Sequence, residues 1–208
     1  MDPTISVEAV KLTKKYGARM LFSDVSFLVK AGECLGVTGH NGSGKSTLLK
    51  IIAGVVRPSS GSVKIRNGGL DAGEEERLHC LGMVSPEMQM YDSLSGYENI
   101  MLLAGSRGLT LTAAEAGSFC ERLGLGQKGT ELVKTYSTGM KQRLKFALLL
   151  ATDAPVWLLD EPSSNLDREG KKVILAMLTY ALKQGKLIIL ATNDEAEVTY
   201  AHKTIALS

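Results

Sequence analysis

The segment Gly39-His40-Asn41-Gly42-Ser43-Gly44-Lys45-Ser46-Thr47 constrains what this chain can fold into more than any other. A short apolar run, Glu33-Cys34-Leu35-Gly36-Val37-Thr38, precedes it, and Leu48, Leu49, Ile51 and Ile52 follow at helical spacing until Gly54. The order is strand, glycine-rich loop, helix. The loop fits the pattern G-x-x-x-x-G-K-[ST] in the context that pattern requires. Backbone amides that converge without interfering Cβ atoms form an anion nest at the positive end of a helix. Lys45 adds a cation for β- and γ-phosphates, and Ser46 adds a hydroxyl for Mg²⁺. The bland alternative is a glycine turn that happens to precede a helix. Chance would produce the four fixed positions in roughly 1% of chains this long.

A second chemical feature lies far along the chain. Val156-Trp157-Leu158-Leu159 is apolar on both faces, as a buried parallel strand should be, and it ends in Asp160-Glu161. Beside the phosphate loop, Asp160 would reach Mg²⁺, usually through water. Glu161 would hold or deprotonate an attacking water. Taken alone, two acids that simply end a strand would explain the same residues.

The rest of the chain is organised around these two points. Residues 5–10 and Val25 to Val29 read as strands separated by a turn at Lys14-Lys15-Tyr16-Gly17, and Val63 to Ile65 and Leu81 to Val84 as two more. From about Glu87 to Ala151 the pattern turns helical. Ser95-x-x-Glu98 and Thr112-x-x-Glu115 form capping boxes, and a third helix begins at Ser137. A further helix from about Arg168 to Gln184 leads into the buried strand Leu187 to Leu190, and Thr204 to Leu207 closes the chain. The expected fold is α/β, of the P-loop NTPase type. It has a mainly parallel sheet core, an N-terminal antiparallel β portion and an inserted α-helical subdomain at about 87–151, all in a single domain over 1–208.

Composition narrows the function. With 208 residues, 24 Lys+Arg and 22 Asp+Glu, the net charge of +2 is too small for a dedicated nucleic-acid binder. No apolar run is long enough to span a bilayer. The start, Met1-Asp2-Pro3-Thr4, lacks the basic and apolar regions of a leader. Cys34, Cys80 and Cys120 fit neither a disulfide framework nor a zinc spacing and read as buried thiols in a reducing cytoplasm.

Tyr136-Ser137-Thr138-Gly139-Met140-Lys141-Gln142-Arg143 resembles the LSGGQ signature of ATP-binding cassette proteins, with Tyr136, Thr138 and Met140 as departures. The resemblance runs over nearly the whole chain. It implies that Tyr16 stacks on adenine and that residues 39–47, His40, Asn41 and Thr47 included, cradle the phosphates of ATP. Ser46 and Asp160 would hold Mg²⁺, and Glu161 would be the catalytic base. It implies that Ser137 and Gly139 act on the γ-phosphate bound by a second copy in a head-to-tail dimer, with Ser164 to Asp167 crossing between the copies. Two departures stand out. Pro86 or Glu87 takes the place of the family glutamine, with Gln89 too late, and Asn193 takes the place of the histidine that contacts the γ-phosphate. His40, His79 and His202 do not align with that histidine and read as surface or structural.

The resemblance implies an ATPase subunit, cytoplasmic and peripheral at the inner face of the membrane, that drives a separately encoded integral membrane transporter subunit. The lack of a C-terminal regulatory domain leans toward export, and a single cassette of this size resembles the haem-exporter ATPase subunits of cytochrome c biogenesis. Met88, Met90 and Tyr91 either line a groove for the membrane partner or belong to the helical core. Two other classes stay open: a cassette ATPase acting outside transport, on DNA or ribosomes, and a weakly hydrolysing nucleotide-binding scaffold.

Overall fold

The structure, a computed structural model, describes residues 5–208. The leader reading of Met1 to Thr4 lies outside them. In chain order the strands are β1 (Ser6–Tyr16), β2 (Arg19–Lys30), β3 (Cys34–Thr38), β4 (Ser60–Asn67), β5 (Leu70–Asp71), β6 (Leu81–Val84), β7 (Val156–Asp160), β8 (Leu187–Ala191) and β9 (Lys203–Ala206). The α-helices are α1 (Lys45–Ile52), α2 (Glu74–Cys80), α3 (Gly96–Gly105), α4 (Ala113–Arg122), α5 (Thr138–Ala151), α6 (Arg168–Lys183) and α7 (Glu195–Val198). No helix among the described residues is long and apolar enough to cross a membrane.

The strands form two sheets. The first has the order β2-β1-β4-β5, with every pairing antiparallel. Here one expectation needs correction. The turn expected at Lys14 to Gly17 is strand as far as Tyr16, which pairs with Arg19, and the reversal is Gly17-Ala18. Register shifts between Leu12 and Lys14 and between Lys14 and Lys15 interrupt the alternation of β1, so its period-2 pattern fades before the strand ends. A second hairpin, unmarked in the sequence reading, joins β4 to β5 through Gly68-Gly69. Both lie at positive φ, as a two-residue turn matching the strand twist demands.

The second sheet has the order β6-β7-β8-β3-β9, and β7–β8, β8–β3 and β3–β9 are parallel. All residues of β7 and β8 are buried. α1 packs on β7 and β8, placing Leu48 and Ile52 in one cluster with Val37, Leu158 and Ile189. Each such side chain contributes about 1.5–3 kcal/mol through burial. The carboxyl ends of β3, β7 and β8 therefore lie side by side, where α/β sheets present ligand sites. His202 is structural here: its Nδ1 accepts the Cys34 N–H at 3.0 Å as β9 joins β3. Cys34, Cys80 and Cys120 are free and buried, and burial pushes the Cys34 and Cys120 thiols up to about 12.

The chain forms two compact units. Among the described residues one comprises 5–83, 155–161 and 179–208, and the other 84–154 and 162–178. In the second unit α3, α4 and α5 pack on one another, burying Ile100, Ala104, Cys120 and Leu144. The helical pattern expected from Glu87 starts later, at Gly96; residues 87–95 are irregular. α2 was not expected at all, because it buries only Cys80 and has no apolar stripe; its first turn is instead Glu74-Glu75-Glu76, which complements the helix dipole.

Both capping boxes form. The Ser95 N–H donates to Glu98 Oε2 at 2.7 Å and the Glu98 N–H returns to Ser95 Oγ at 3.2 Å; Thr112 and Glu115 do the same. One turn on, the fully buried Asn99 accepts the Tyr91 N–H at 2.8 Å and donates to Tyr91 O at 3.0 Å and Ser95 O at 2.9 Å. Ser95→Ala should therefore cost about 1 kcal/mol, the usual value of a lost cap. Asn99→Ala strands several buried backbone groups and should cost about 2–4 kcal/mol. Urea denaturation followed by circular dichroism should rank them in that order; equal losses would contradict the bonding described.

Candidate functional site

The phosphate loop leaves β3 and enters α1 through Gly44, which sits at φ 103° and offers no side chain to cap the helix. Two of its glycines are demanded by the fold. A Cβ on Gly39 would collide with the Leu207 carbonyl oxygen, and one on Gly44 would lie 2.7 Å from Leu21 Cγ. The loop, the start of α1 and the end of β7 enclose a cavity of about 330 Å³ lined in part by Gly42, Lys45, Ser46, Asp160 and Glu161.

Several polar groups in this loop wait for a partner or hold a makeshift one. Ser43 Oγ is buried and has no hydrogen-bond partner. Lys45 is buried, and its Nζ donates to Gly39 O at 2.7 Å and His40 O at 3.5 Å, with Glu161 Oε1 at 4.0 Å. The cation is thus folded onto the carbonyls of its own loop. An uncapped helix start, an orphaned hydroxyl and a buried cation together fit a polyphosphate. The hard oxygen donors Ser46 and Asp160 line the same cavity and fit Mg²⁺, which prefers one or two carboxylates plus substrate phosphates.

Asp160 is buried at the end of β7. Glu161 follows at φ 46°, a left-handed conformation uncommon for a residue with a side chain, and its N–H donates to Ala191 O at 2.9 Å. Burial raises the Glu161 carboxyl above its usual range; Lys45 opposes this, while Glu197, Asp160 and Asp194 add to it. A carboxylate tuned upward is a better proton acceptor near neutral pH. Asn193 is exposed in the turn after β8, where Thr192 Oγ1 accepts the Asp194 N–H at 2.9 Å.

Tyr16 ends β1 with 54% of its surface exposed, and it does not line the phosphate cavity. Gly39, His40, Ser43 and Asn193 do not line it either, whereas Asn41, Gly44 and Thr47 do. Leu21 lines the cavity, and Arg19 Nη2 would lie 3.9 Å from a Cβ on Gly42. Sequence reading missed both residues, because only the β1–β2 pairing brings them to the loop.

The second unit carries the signature helix. Ser137 caps α5, its Oγ accepting the Met140 N–H at 3.2 Å, and it is exposed. A Cβ on Gly139 would come no closer than 3.4 Å to Leu166 Cδ2, an ordinary contact. Tyr136 is buried, and its hydroxyl donates to Lys128 O at 2.6 Å; burial pushes that hydroxyl up to about 12. Where the family glutamine is absent, Lys145, 7% exposed, donates to Ser85 O at 2.8 Å and Pro86 O at 3.3 Å. Met88 and Met90 line a cavity of about 420 Å³ with Gln142 and Lys145, while Tyr91 is exposed.

Comparison with known proteins places this geometry. The sequence model of the ABC transporter family matches residues 22–164. The cytochrome c biogenesis ATP-binding export protein CcmA of Nitrosospira multiformis is 32% identical over 202 residues, covering 94% of this chain and 95% of that protein. The Nod factor export ATP-binding protein I of Rhizobium meliloti is 33% identical over 201 residues, 94% of this chain but 59% of that protein. Among solved structures, an ATP-binding subunit of an ABC transporter superposes with a TM-score of 0.84 at 26% identity, over 97% of this chain and 85% of that one. A dimeric ATP-binding cassette in a post-hydrolysis state with ADP and Pi has a TM-score of 0.85 at 24% identity, over 97% and 94%, and shares the fold. With its uncapped phosphate loop, its acidic strand end and its Ser-capped signature helix in a chain so matched, this protein belongs to the ABC transporter family, as an ATP-binding, ATP-hydrolysing subunit.

Proposed function

We propose that two copies of this chain bind two MgATP head to tail and pass their closure to a separately encoded integral membrane protein, powering export. The observation that carries the reading is the convergence of Lys45, Ser46, Asp160 and Glu161 on one cavity at the end of the parallel sheet. The names of the relatives speak of export, which supports that direction. On this reading the subunit is cytoplasmic, held at the inner face of the membrane by its partner, and the near-neutral charge balance suits it to no nucleic acid.

The chain's own residues divide the work. Lys45 leaves Gly39 O for the β- and γ-phosphates, and the loop amides together with Ser43 Oγ receive phosphate oxygens. Ser46 and Asp160 hold Mg²⁺, which when bound neutralises charge on the phosphates. Glu161 orients a water and accepts its proton. Tyr16 stacks on adenine. Ser137 and the exposed backbone at Gly139 complete the site of the opposite copy, and two-fold closure satisfies both sites at once. Asn193 donates an amide hydrogen bond to the γ-phosphate where histidine would offer a longer reach and a cationic form.

Three measurements test this. Lys45→Ala removes the buried cation of the loop, a charge-assisted contact of roughly 1.5–3 kcal/mol, so MgATP should bind about tenfold or more weakly by calorimetry. Unchanged affinity would remove the loop from the site. Glu161→Gln keeps the side-chain shape but takes no proton, so ATP should persist and sedimentation should reveal an ATP-dependent dimer; a monomer at saturating MgATP would contradict the paired arrangement. Finally, the wild-type chain should hydrolyse ATP slowly. Asn193→His should raise the rate, by up to the order of a hundredfold if the donor is well placed, and Asn193→Ala should lower it. Equal rates for all three would place residue 193 away from the phosphate.

A further inference from the structure

We propose that Lys14 is a positioning residue for the nucleobase, bracing the Tyr16 ring so that one face is held and the other is presented to adenine. The proposal rests on the assignment of Tyr16 as the stacking residue.

The geometry is specific. Lys14 Nζ lies 4.7 Å from the centroid of the Tyr16 ring, within the range of a cation–π contact. That ammonium is itself fixed, donating to Arg57 O at 2.8 Å. Its neighbours are fixed to the same segment: the Ser59 N–H donates to Thr13 O at 2.8 Å, and the Lys15 N–H to Ser59 Oγ at 3.0 Å. The segment follows directly from α1, whose Lys50 carbonyl accepts the Val55 N–H at 2.9 Å. Three consecutive residues at the end of β1 are thereby tied to the backbone leaving the phosphate-loop helix. The register shifts on both sides of Lys14 help aim the strand end there.

The consequence concerns a side chain that would otherwise move. Tyr16 is 54% exposed at a strand end, and an unheld ring there loses rotamer freedom when a base stacks on it. A cation over one face restrains the ring before the nucleotide arrives. It also draws π density toward itself, making the opposite face less negative toward the electron-rich face of a purine. Because the ammonium is tied to the segment after α1, the distance from base platform to phosphate loop is set within the free protein.

Calorimetric titrations with MgATP and with magnesium tripolyphosphate, which has the phosphates but no base, test this on the intact chain. Lys14→Met keeps the apolar stem and removes the charge. It should weaken MgATP by about two- to fivefold, the fold-change equivalent of an exposed cation–π contact, and leave tripolyphosphate unchanged. Lys14→Arg keeps a cation over the ring and should restore MgATP affinity. Tyr16→Ala should weaken MgATP on the order of tenfold, again sparing tripolyphosphate. If Tyr16→Ala weakens MgATP but Lys14→Met does not, the brace is wrong and the stacking role stands. If neither variant changes MgATP affinity, the Tyr16 assignment fails and the brace falls with it. Equal weakening of both ligands by Lys14→Met would place the lysine's effect on the phosphates or the fold, and overturns the proposal.

Discussion

The uncapped start of α1 is the constraint on which the rest of the structure depends. α3, α4, α5 and α7 begin with a side-chain cap, α2 and α6 with acids in the first turn, and α1 alone among the described α-helices has neither. Several backbone N–H groups at a positive helix end are thus left without an internal acceptor, in a place where the protein elsewhere supplies one. That arrangement costs stability unless an anion arrives. The parallel sheet holds it in place: α1 is anchored by Leu48 and Ile52 against β7 and β8, so the open end cannot relax by tilting. Lys45 meanwhile occupies itself with Gly39 O, an internal substitute that a phosphate can outcompete.

What could be read from the sequence follows the range of the interactions. The phosphate loop, both capping boxes and the doubly buried strands β7 and β8 are written in residues adjacent along the chain, and the structure forms each of them. The features that escaped depend on distant partners. Lys145 is buried in α5, and only its bond to Ser85 O, across 60 residues, accounts for a cation there. Leu21 and Arg19 reach the phosphate loop only because β2 pairs with β1. The end of β1 reads as a turn because bulges spoil its alternation, and α2 leaves no signal because it has hardly any buried face.

The departures from the family pattern are unequal in their physical effect. Tyr136 in place of leucine at the head of the signature buries a larger side chain and adds a hydroxyl, and that hydroxyl is satisfied by Lys128 O. The loop after β6, which lacks the family glutamine, has its carbonyls held by Lys145, so the backbone there is tethered. Asn193 has no comparable substitute. It stands exposed after β8, shorter than histidine and always neutral, so on the proposed reading more of the stabilisation of developing charge falls to Lys45 and the loop amides.

The glycines separate what the chain needs for itself from what it offers to others. Gly39 and Gly44 are required from within, since a Cβ at either would strike Leu207 or Leu21, and both lie at positive φ. Gly139 is different. It lies in the first turn of α5, where glycine costs up to about 1 kcal/mol relative to alanine. A Cβ would fit there, and its φ needs no special freedom. On the proposed head-to-tail reading, a glycine that neither packing nor backbone conformation demands finds its reason in what approaches from the opposite copy. At a helix start with an exposed Ser137, that reason would be close access of the opposite copy's phosphate to the remaining backbone N–H groups.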